Sequence, residues 1–300
     1  MDIRFDDRVA IVTGAGNGLG RQHALGLAAR GARVVVNDLG QDGRPSPVAL
    51  EVVKEIEAAG GKAMADPADV SDEADVARMV AAVMDRWGRI DILVNNAGIL
   101  RDKTFAKMEL ADFRKVVDIH LMGSVNCTRA VWGIMRDQSY GRIVLTSSAS
   151  GIYGNFGQSN YGAAKAAMLG LMNVLHLEGA KSDIRVNTLA PTAATGMTEG
   201  LISPEDAALL APETVTPGLL YLVSEDAPSR VILGAGGGAF AVTHIEETAG
   251  HWLPPAMRTP EMVRDHFAAI DDRSTRAPLD NAFGQTNKFI MLARAGLKGE

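Results

Sequence analysis

The stretch RVAIVTGAGNGLG, residues 8–20, decides the fold of this chain. It begins with a short apolar run, which predicts a buried strand, and glycines follow immediately. Gly14, Gly18 and Gly20 fit the spacing G-x-x-x-G-x-G rather than G-x-G-x-x-G, because Leu19 stands where the second pattern requires a glycine. A strand, a glycine-rich turn and a helix in this order are typical of a unit that binds the phosphates of a dinucleotide.

Each residue of this turn has an expected role. Gly14 allows a tight turn off the strand, Gly18 allows the close approach of a pyrophosphate, and Gly20 allows the helix to pack closely. Asn17 and Leu19 would line the turn, and the phosphates would meet backbone N–H groups at the helix N-terminus. A glycine cluster alone is a common turn signal, and here its position between a strand and a helix favours nucleotide binding.

A second apolar run, residues 32–37, ends in Asp38. An acidic side chain at this distance after the glycine turn accepts hydrogen bonds from the adenosine ribose hydroxyls, and its charge repels a 2′-phosphate. Asp38 therefore predicts NAD rather than NADP as the cofactor. The alternative interpretation is that Asp38 caps a turn together with Asn37 and Gly40.

Strand and helix patterns continue to alternate along the chain. The predicted strands are residues 8–13, 32–37, 62–65, a strand that begins at 91, another that begins at 142, and then 184–191 and 230–234. The predicted helices between them include residues 19–30, 48–59, 111–135, 163–177 and 217–224, and Ser71 is expected to cap the helix after the third strand. This alternation predicts an α/β fold, a Rossmann-type doubly wound parallel sheet of about seven strands with helices on both faces.

The organisation predicted from this pattern is one large domain with an extension. Residues 1–238 form the dinucleotide-binding catalytic domain, and residues 239–300 form a C-terminal extension packed on the same domain or on a neighbouring subunit. One helix is predicted in that extension, from Pro260 to Ala269. The loop from Thr192 to Pro212 is rich in Thr, Gly, Met and Leu, and it is interpreted as a mobile cover of the substrate pocket.

Further candidate cofactor contacts follow the third and fourth strands, at the edge where ligands lie in an open parallel sheet. Small or amide side chains there let a cofactor lie against the strand end. These candidates are Asp69 and Val70, beside the adenine, and then Asn96, Ala97 and Gly98.

The catalytic candidates are Ser148, Tyr161 and Lys165. A tyrosine has a pKa of about 10, so it is a poor base near neutral pH unless its phenolate is stabilised. Lys165 stands four residues after Tyr161, about 6 Å further along a helix, where a positive charge favours the ionised phenol. Ser148 follows a strand and can donate a hydrogen bond to a substrate oxygen. A lone Y-x-x-x-K is usually a pair of helix-surface residues, so the interpretation depends on the whole set.

Other charged and aromatic residues leave alternatives open. Arg101, Lys103 and Lys107 either meet anionic groups of a substrate or are ordinary solvated charges. His120 is expected to pack between helices rather than to catalyse. The helix after Tyr161 is apolar on more than one side, which predicts a subunit interface and a homodimer or homotetramer.

Composition excludes several classes of function. The chain has 300 residues, 47% of them hydrophobic, and a formal net charge of −6 without a basic run, which argues against a nucleic-acid partner. The single cysteine, Cys127, excludes an intramolecular disulfide and a cysteine-rich zinc site, and the six histidines show no metal-ligand spacing, so no metal is predicted. Neither a signal peptide nor a membrane span is recognisable, so a cytoplasmic protein with a small-molecule substrate is expected.

The motifs together resemble those of the short-chain dehydrogenase/reductase family, over residues 5–223. The matching stretches are TGAGNGLG at 13–20, Asp38, DV at 69–70, NNAG at 95–98, Ser148, and YGAAK at 161–165. The resemblance implies an NAD-dependent oxidoreductase in which Tyr161 accepts the proton and Ser148 holds the substrate oxygen. It also implies that Lys165 binds the nicotinamide ribose and that Thr192 meets the carboxamide.

Three longer stretches of sequence resemble one particular group within this family. NDLG at 37–40, TSSASGIYGNFGQSNY at 146–161 and HLMGSVNCTRAVW at 120–132 are similar to the (3R)-hydroxyacyl-CoA dehydrogenases of peroxisomal multifunctional enzymes. The implied substrate is a 3-hydroxyacyl-CoA, the alternatives being a hydroxysteroid or another small alcohol, or a non-catalytic NAD-binding regulatory protein. Two positions depart from the wider family: His120 stands where most members have asparagine, and Thr192 replaces the glycine of a Pro-Gly pair.

Overall fold

Strands and helices alternate from Val9 to Gly236 in the computed structural model, which describes residues 2–194 and 203–299. The strands are β1 (Val9–Thr13), β2 (Arg33–Asn37), β3 (Lys62–Asp66), β4 (Ile92–Asn95), β5 (Gly141–Thr146), β6 (Ile184–Pro191), β7 (Ile232–Gly236), β8 (Ala239–Thr243), β9 (Glu246–Glu247) and β10 (Ala277–Pro278).

The α-helices lie mainly between these strands. They are α1 (Gly18–Ala29), α2 (Pro47–Ala58), α3 (Glu73–Trp87), α4 (Leu110–Val117), α5 (Gly123–Gln138), α6 (Ala149–Tyr153), α7 (Ser159–Gly179), α8 (Pro204–Leu209), α9 (Thr216–Leu222), α10 (Pro260–Asp265), α11 (Phe267–Ile270) and α12 (Ala282–Gly299). None of the described helices is both long and apolar enough to cross a membrane.

The strands from β1 to β8 form one sheet in the order β3-β2-β1-β4-β5-β6-β7-β8. The pairings from β3 across to β7 are parallel, with Ile11 of β1 opposite Val35 on one side and Leu93 on the other. The strand order reverses between β1 and β4, which opens a crevice at the carboxyl ends of these strands. The predicted doubly wound α/β fold is confirmed, with eight strands in the main sheet instead of about seven.

The central strands are buried on both faces. Along β1, Ala10 and Val12 pack into one apolar cluster, whereas Val9 and Ile11 pack into a second cluster on the opposite side of the sheet. All four side chains are fully buried. This is the expected consequence of covering a parallel sheet with helices on both faces, and it fixes the strand ends that carry the site.

Local details differ from the sequence-based expectations. The cap of α3 is Asp72, whose carboxylate accepts hydrogen bonds from the N–H groups of Ala74 and Asp75, and not Ser71. The predicted helix 111–135 is interrupted by a wide π-helical turn at Asp118–Met122. An eighth strand, β8, follows β7 after the two-residue turn at 237–238, a connection that suits antiparallel neighbours.

The chain divides into two units, residues 1–242 and residues 243–300. In the second unit β9 and β10 pair antiparallel, and the carboxylate of Glu247 accepts hydrogen bonds from Gln285 and Lys288 of α12. The helix predicted from Pro260 to Ala269 is present as two short helices, α10 and α11, and α12 was not predicted. Where the extension packs stays a prediction. Of the predicted mobile cover, residues 195–202 lie outside the described residues.

His23 is a buried titratable group away from the crevice. It lies in α1, its Nδ1 is 3.1 Å from the hydroxyl oxygen of Thr216 at the start of α9, and its Nε2 has no hydrogen-bond partner within residues 2–194 and 203–299. Burial lowers the pKa of His23 to about 3, because the charged imidazole is desolvated. The folded protein therefore holds this side chain neutral.

This burial predicts acid sensitivity. Between the ordinary histidine pKa of 6.5 and about 3, the unfolded chain binds a proton that folded His23 does not. The free energy of unfolding should therefore decrease as the pH falls through that window, by up to ~1.4 kcal/mol per pH unit for this group. The His23→Gln variant should show a shallower decrease in urea denaturation at a series of pH values.

The matched control is His244→Gln, because His244 is exposed. It should leave the pH dependence of unfolding as it is in the unsubstituted protein. An equal pH dependence in the His23→Gln variant and the unsubstituted protein would contradict the assignment.

Candidate active site

A cavity of about 350 Å³ lies at the crevice where the strand order reverses. It is lined by the ends of β1, β2, β4, β5 and β6 and by the first turns of α1 and α7. The lining residues are Gly14, Asn17, Gly18, Leu19, Gly20, Asp38, Asn96, Ala97, Gly98, His120, Thr146, Tyr161, Lys165 and Pro191. Eleven of these were singled out from the sequence as cofactor or catalytic residues, so the fold brings most of the predicted site together.

The glycine turn lines one end of the cavity with backbone atoms. Gly18 has φ +51°, a conformation that side chains disfavour. A Cβ on Gly20 would lie 2.1 Å from the carbonyl oxygen of Gly14, so only glycine fits where α1 passes over the turn. Asn17 makes no side-chain cap, and the first turn of α1 carries no acidic residue. The N–H groups at this helix end are therefore available to an anion.

Asp38 is held at one end of the cavity by two donors. Its carboxylate accepts the N–H of Gly16 at 2.9 Å and the hydroxyl of Ser46 at 3.4 Å. These contacts tie the end of β2 to the glycine turn. The half-buried carboxylate retains further acceptor positions, because an ionised carboxylate has about four lone-pair sites.

A polar cross-link joins the ends of β1 and β4. The amide nitrogen of Asn96 donates to the carbonyl oxygens of Thr13 and Gly14, at 2.9 and 3.1 Å. In return, the hydroxyl oxygen of Thr13 accepts the N–H groups of Asn96 and Ala97, each at 3.0 Å. These bonds fix the glycine turn against the strand that lies beneath the cavity. Asn96 therefore orients this turn through its own side chain.

Tyr161 lies in the first turns of α7 and reaches the cavity beside Ser148. The N–H of Ser150 donates to the Ser148 hydroxyl oxygen at 3.1 Å, so the hydroxyl hydrogen of Ser148 points elsewhere. Burial raises the pKa of Tyr161, and a hydrogen bond with the Ser148 side chain partly opposes that rise. The sequence-based expectation of a lowered phenol pKa is wrong for this structure, because desolvation of the phenolate dominates.

Lys165 does not reverse the rise in the Tyr161 pKa, because the lysine is itself buried. Its side chain is 4% exposed, and Nζ donates to the carbonyl oxygen of Thr146 at 2.7 Å. Nζ also lies 5.6 Å from the centre of the Tyr161 ring. Burial lowers the pKa of Lys165 to about 7, because the ammonium is itself desolvated. The lysine therefore titrates near neutral pH and is only partly charged there.

His120 stands at the π-helical turn and faces Tyr161. The two ring centres are 5.2 Å apart and nearly perpendicular. Nε2 lies 2.8 Å from the carbonyl oxygen of Ile99, whereas Nδ1 has no partner in the described part of the chain. Burial, and then the nearby charge of Lys165, lower the pKa of His120 to about 3. His120 therefore packs between elements as expected, and it also lines the cavity, which was not expected.

Four predicted residues do not line the cavity. Ser148 touches Tyr161 instead. The Asp69 carboxylate accepts hydrogen bonds from Ser71, and the Val70 carbonyl oxygen accepts one from Asn126, so both belong to the loop after β3. Thr192 is exposed, and its N–H donates to the carbonyl oxygen of Ala235.

Sequence reasoning missed two lining residues, Thr146 and Pro191. They are the last residues of β5 and β6, so the rule that ligands lie at the carboxyl ends of parallel strands is the signal that would have found them.

The residues present fit a nicotinamide dinucleotide. The free helix end suits a pyrophosphate, and Asp38 suits a ribose. Deeper in the cavity, the Nδ1 of His120 and the hydroxyl of Thr146 are buried polar atoms without a partner among the described residues. Buried polar groups normally have a partner, so these atoms mark a place for a polar ligand or a water. No group of three or more His, Cys, Asp or Glu side chains is placed to hold a metal ion within the described ranges.

A family model described as short chain dehydrogenase matches residues 8–206. The chain belongs to the short-chain dehydrogenase/reductase family and is an oxidoreductase acting on CH–OH groups.

The chain is also similar to individual proteins along most of its length. Peroxisomal multifunctional enzyme type 2 of Mus musculus is 47% identical over 279 residues, which cover 91% of this chain and 38% of that enzyme. The solved full-length peroxisomal multifunctional enzyme type 2 from Drosophila melanogaster has a TM-score of 0.82 at 38% identity, covering 97% of this chain and 50% of that one. The chain thus spans half or less of these multifunctional enzymes.

A third likeness is to a 7α-hydroxysteroid dehydrogenase, solved in complex with NADH and 7-oxo glycochenodeoxycholic acid. Its TM-score is 0.71 at 31% identity, and the match covers 79% of this chain and 95% of that chain.

Proposed function

We propose that this protein oxidises a 3-hydroxyacyl-CoA to the 3-oxoacyl-CoA with NAD as the hydride acceptor. The observation that carries the proposal is the set Ser148, Tyr161 and Lys165 beside a cavity whose other end is the glycine turn and Asp38. The similarity to peroxisomal multifunctional enzymes supports the acyl-CoA class of substrate.

The chemistry of the three residues follows from their contacts. A bound nicotinamide ring supplies the acceptor for the hydride that leaves the carbinol carbon. Tyr161 acts from its phenolate form: the buried phenol first loses its own proton to solvent, and the phenolate then takes the hydroxyl proton as general base, a role typically worth ~10²- to 10⁴-fold in rate. With substrate bound, Ser148 would donate its hydroxyl hydrogen to the reacting oxygen in place of its resting contact with Tyr161, because the Ser148 oxygen already accepts the N–H of Ser150. Lys165 holds a partial positive charge beneath the phenol and has two N–H donors beyond its bond to Thr146.

NAD rather than NADP is proposed from Asp38. The carboxylate is fixed by Gly16 and Ser46 at the end of β2, where a ribose 2′-hydroxyl would be an additional donor. A 2′-phosphate at the same place would meet a like charge in a half-buried site, which is unfavourable. The solved relative with NADH is consistent with this choice.

Other functions are less well supported. A hydroxysteroid or another small alcohol is the second candidate, favoured by the likeness to a 7α-hydroxysteroid dehydrogenase. A regulatory NAD-binding protein would be expected to have lost part of the catalytic set, whereas Ser148, Tyr161 and Lys165 are all present and close together.

A homodimer or homotetramer is proposed from the surface of α7. Small and apolar residues recur there at helical spacing and are exposed. They are Ala163, Ala166, Gly170, Val174 and Leu177. Such a stripe allows close approach of an identical helix from a second subunit. The cytoplasmic location expected from the sequence stays a prediction, because the multifunctional relatives are named as peroxisomal.

The proposed reaction predicts the outcome of replacing Tyr161 by phenylalanine. Tyr161→Phe should reduce oxidation of a 3-hydroxyacyl-CoA, followed by NADH absorbance, by at least ~10²-fold, because the general base is removed. NAD affinity, measured by fluorescence titration, should change little. The control Tyr221→Phe removes a hydroxyl from α9, outside the cavity, and should keep full activity. Near-normal turnover by Tyr161→Phe would refute its role.

The cofactor choice predicts the effect of neutralising Asp38. Asp38→Asn should lower the NAD:NADP ratio of kcat/KM by about tenfold or more, because the repulsion of a 2′-phosphate is lost. Asp42→Asn removes the same charge from an exposed position in the following loop, and should leave the ratio unchanged. An unchanged ratio in Asp38→Asn would show that this carboxylate does not select the cofactor.

A further inference from the structure

The segment from Ile99 to Met108, which follows β4, is fastened to the residues that precede Tyr161. The side-chain amide of Asn160 donates to the carbonyl oxygen of Arg101 at 2.9 Å, and the N–H of Lys103 donates to the carbonyl oxygen of Gly157 at 2.9 Å. The Asp102 carboxylate accepts the Gln158 amide at 2.7 Å. These three bonds hold the segment next to the catalytic tyrosine, yet none of its residues lines the nucleotide cavity.

This segment is locally basic on an acidic protein. It carries Arg101, Lys103 and Lys107 against Asp102, a formal charge of +2 from three cations and one anion, whereas the whole chain has −6. The Arg101 and Lys103 side chains are 56% and 53% exposed. Both approach Asp112, but each nitrogen–oxygen distance is 3.8 Å, too long for a hydrogen bond. One Arg101 N–H donates to the carbonyl oxygen of Leu100 at 3.0 Å. The other Arg101 donors and the Lys103 ammonium remain available to an anionic ligand.

Two exposed phenylalanines accompany these cations. Phe105 is 77% exposed and lies between Lys103 and Lys107 in the chain. Phe156 is 88% exposed and precedes Gly157, the residue bonded to Lys103. Phenylalanine is normally buried, and exposed apolar side chains grouped beside a catalytic residue indicate a binding surface. Aromatic faces stack on nucleobases with little dependence on sequence.

We propose that residues 99–108 together with Phe156, here called the entrance rim, bind the 3′-phosphoadenosine diphosphate end of coenzyme A. The proposal rests on the proposed function. Arg101 and Lys103 hold the phosphates, and the phenylalanine rings stack on the adenine. A steroid or a simple alcohol offers no phosphate and no base, so this combination of groups distinguishes the acyl-CoA class from the other candidate substrates.

The entrance rim would contribute binding energy from a part of the substrate that lies away from the reacting carbon. Contacts to the phosphoadenosine end hold the thioester in the site, while the reacting carbon lies at Tyr161. Exposed cations attract phosphates more weakly at high ionic strength, because salt screens charges over about 10 Å at 0.1 M. The contribution of the rim should therefore decrease as salt is added.

The test compares a 3-hydroxyacyl-CoA with the matching 3-hydroxyacyl-pantetheine thioester, which has the same reacting group and lacks the phosphoadenosine end. The double variant Arg101→Gln with Lys103→Gln should raise KM for the CoA thioester by about tenfold at low salt. It should leave kcat/KM for the pantetheine thioester within about twofold. The KM effect should become smaller in high salt.

The matched control is Lys54→Gln with Lys62→Gln. These lysines are exposed on α2 and at the start of the edge strand β3, and their loss changes the net charge equally. This control should leave KM for both thioesters unchanged. Free coenzyme A should inhibit competitively against the acyl substrate and not against NAD.

The outcomes separate the two proposals. If the double variant lost kcat/KM equally on both thioesters, the proposed role of the entrance rim would be overturned while the proposed reaction stands. The same holds if the unsubstituted enzyme has equal kcat/KM for the two thioesters. Oxidation of neither thioester, despite NAD binding, would overturn the proposed function and the rim with it.

Discussion

The site depends on one buried contact, the bond from the Lys165 ammonium to the carbonyl oxygen of Thr146 at the end of β5. Removing an ammonium from water is costly, and the fold offers this one a single backbone acceptor among the described residues. The consequence is a lysine whose pKa is lowered to about 7, and which therefore responds near neutral pH to any charge that enters the cavity. Such shifted groups are common at functional sites because burial there is tied to ligand binding.

The same contact positions the other catalytic groups. It fastens α7 to the strand that runs into Ser148, and the Ser147 hydroxyl adds a second bond, to the Lys165 carbonyl oxygen at 2.8 Å. Tyr161, one helical turn before the lysine, is then held between Ser148 and His120. Because its phenol is also buried, its pKa is raised, so the resting site holds a protonated tyrosine above a partly charged lysine. Tyr161 must therefore lose its own proton before its phenolate can accept one from the substrate.

The sheet and most of the cavity follow directly from sequence patterns. Apolar runs next to glycines identified β1, β2 and the turn at Gly14–Gly20, and β6 was predicted with its observed bounds. The sequence could not show whether burial or the charge of Lys165 has the larger effect on the phenol, so the direction of the pKa shift of Tyr161 was predicted wrongly. The π-helical turn at His120 has no periodic signal, and α12 was missed because Gly284 and Gly296 weaken its helical pattern. Asp69 and Val70 belong to a family motif and Thr192 departs from one, but none of the three lines the cavity, because position in the fold decides which residues reach it.

The central claim is that Lys165 is desolvated within the resting site, and its titration tests this most directly. ¹⁵N nuclear magnetic resonance of lysine side chains, with Lys165→Met to assign the signal, would follow its Nζ across the pH range. The structure predicts a midpoint at about 7 in the nucleotide-free protein. A midpoint close to the ordinary lysine value of 10.5 would contradict the arrangement described, because it would mean that the ammonium is hydrated rather than buried beneath Tyr161.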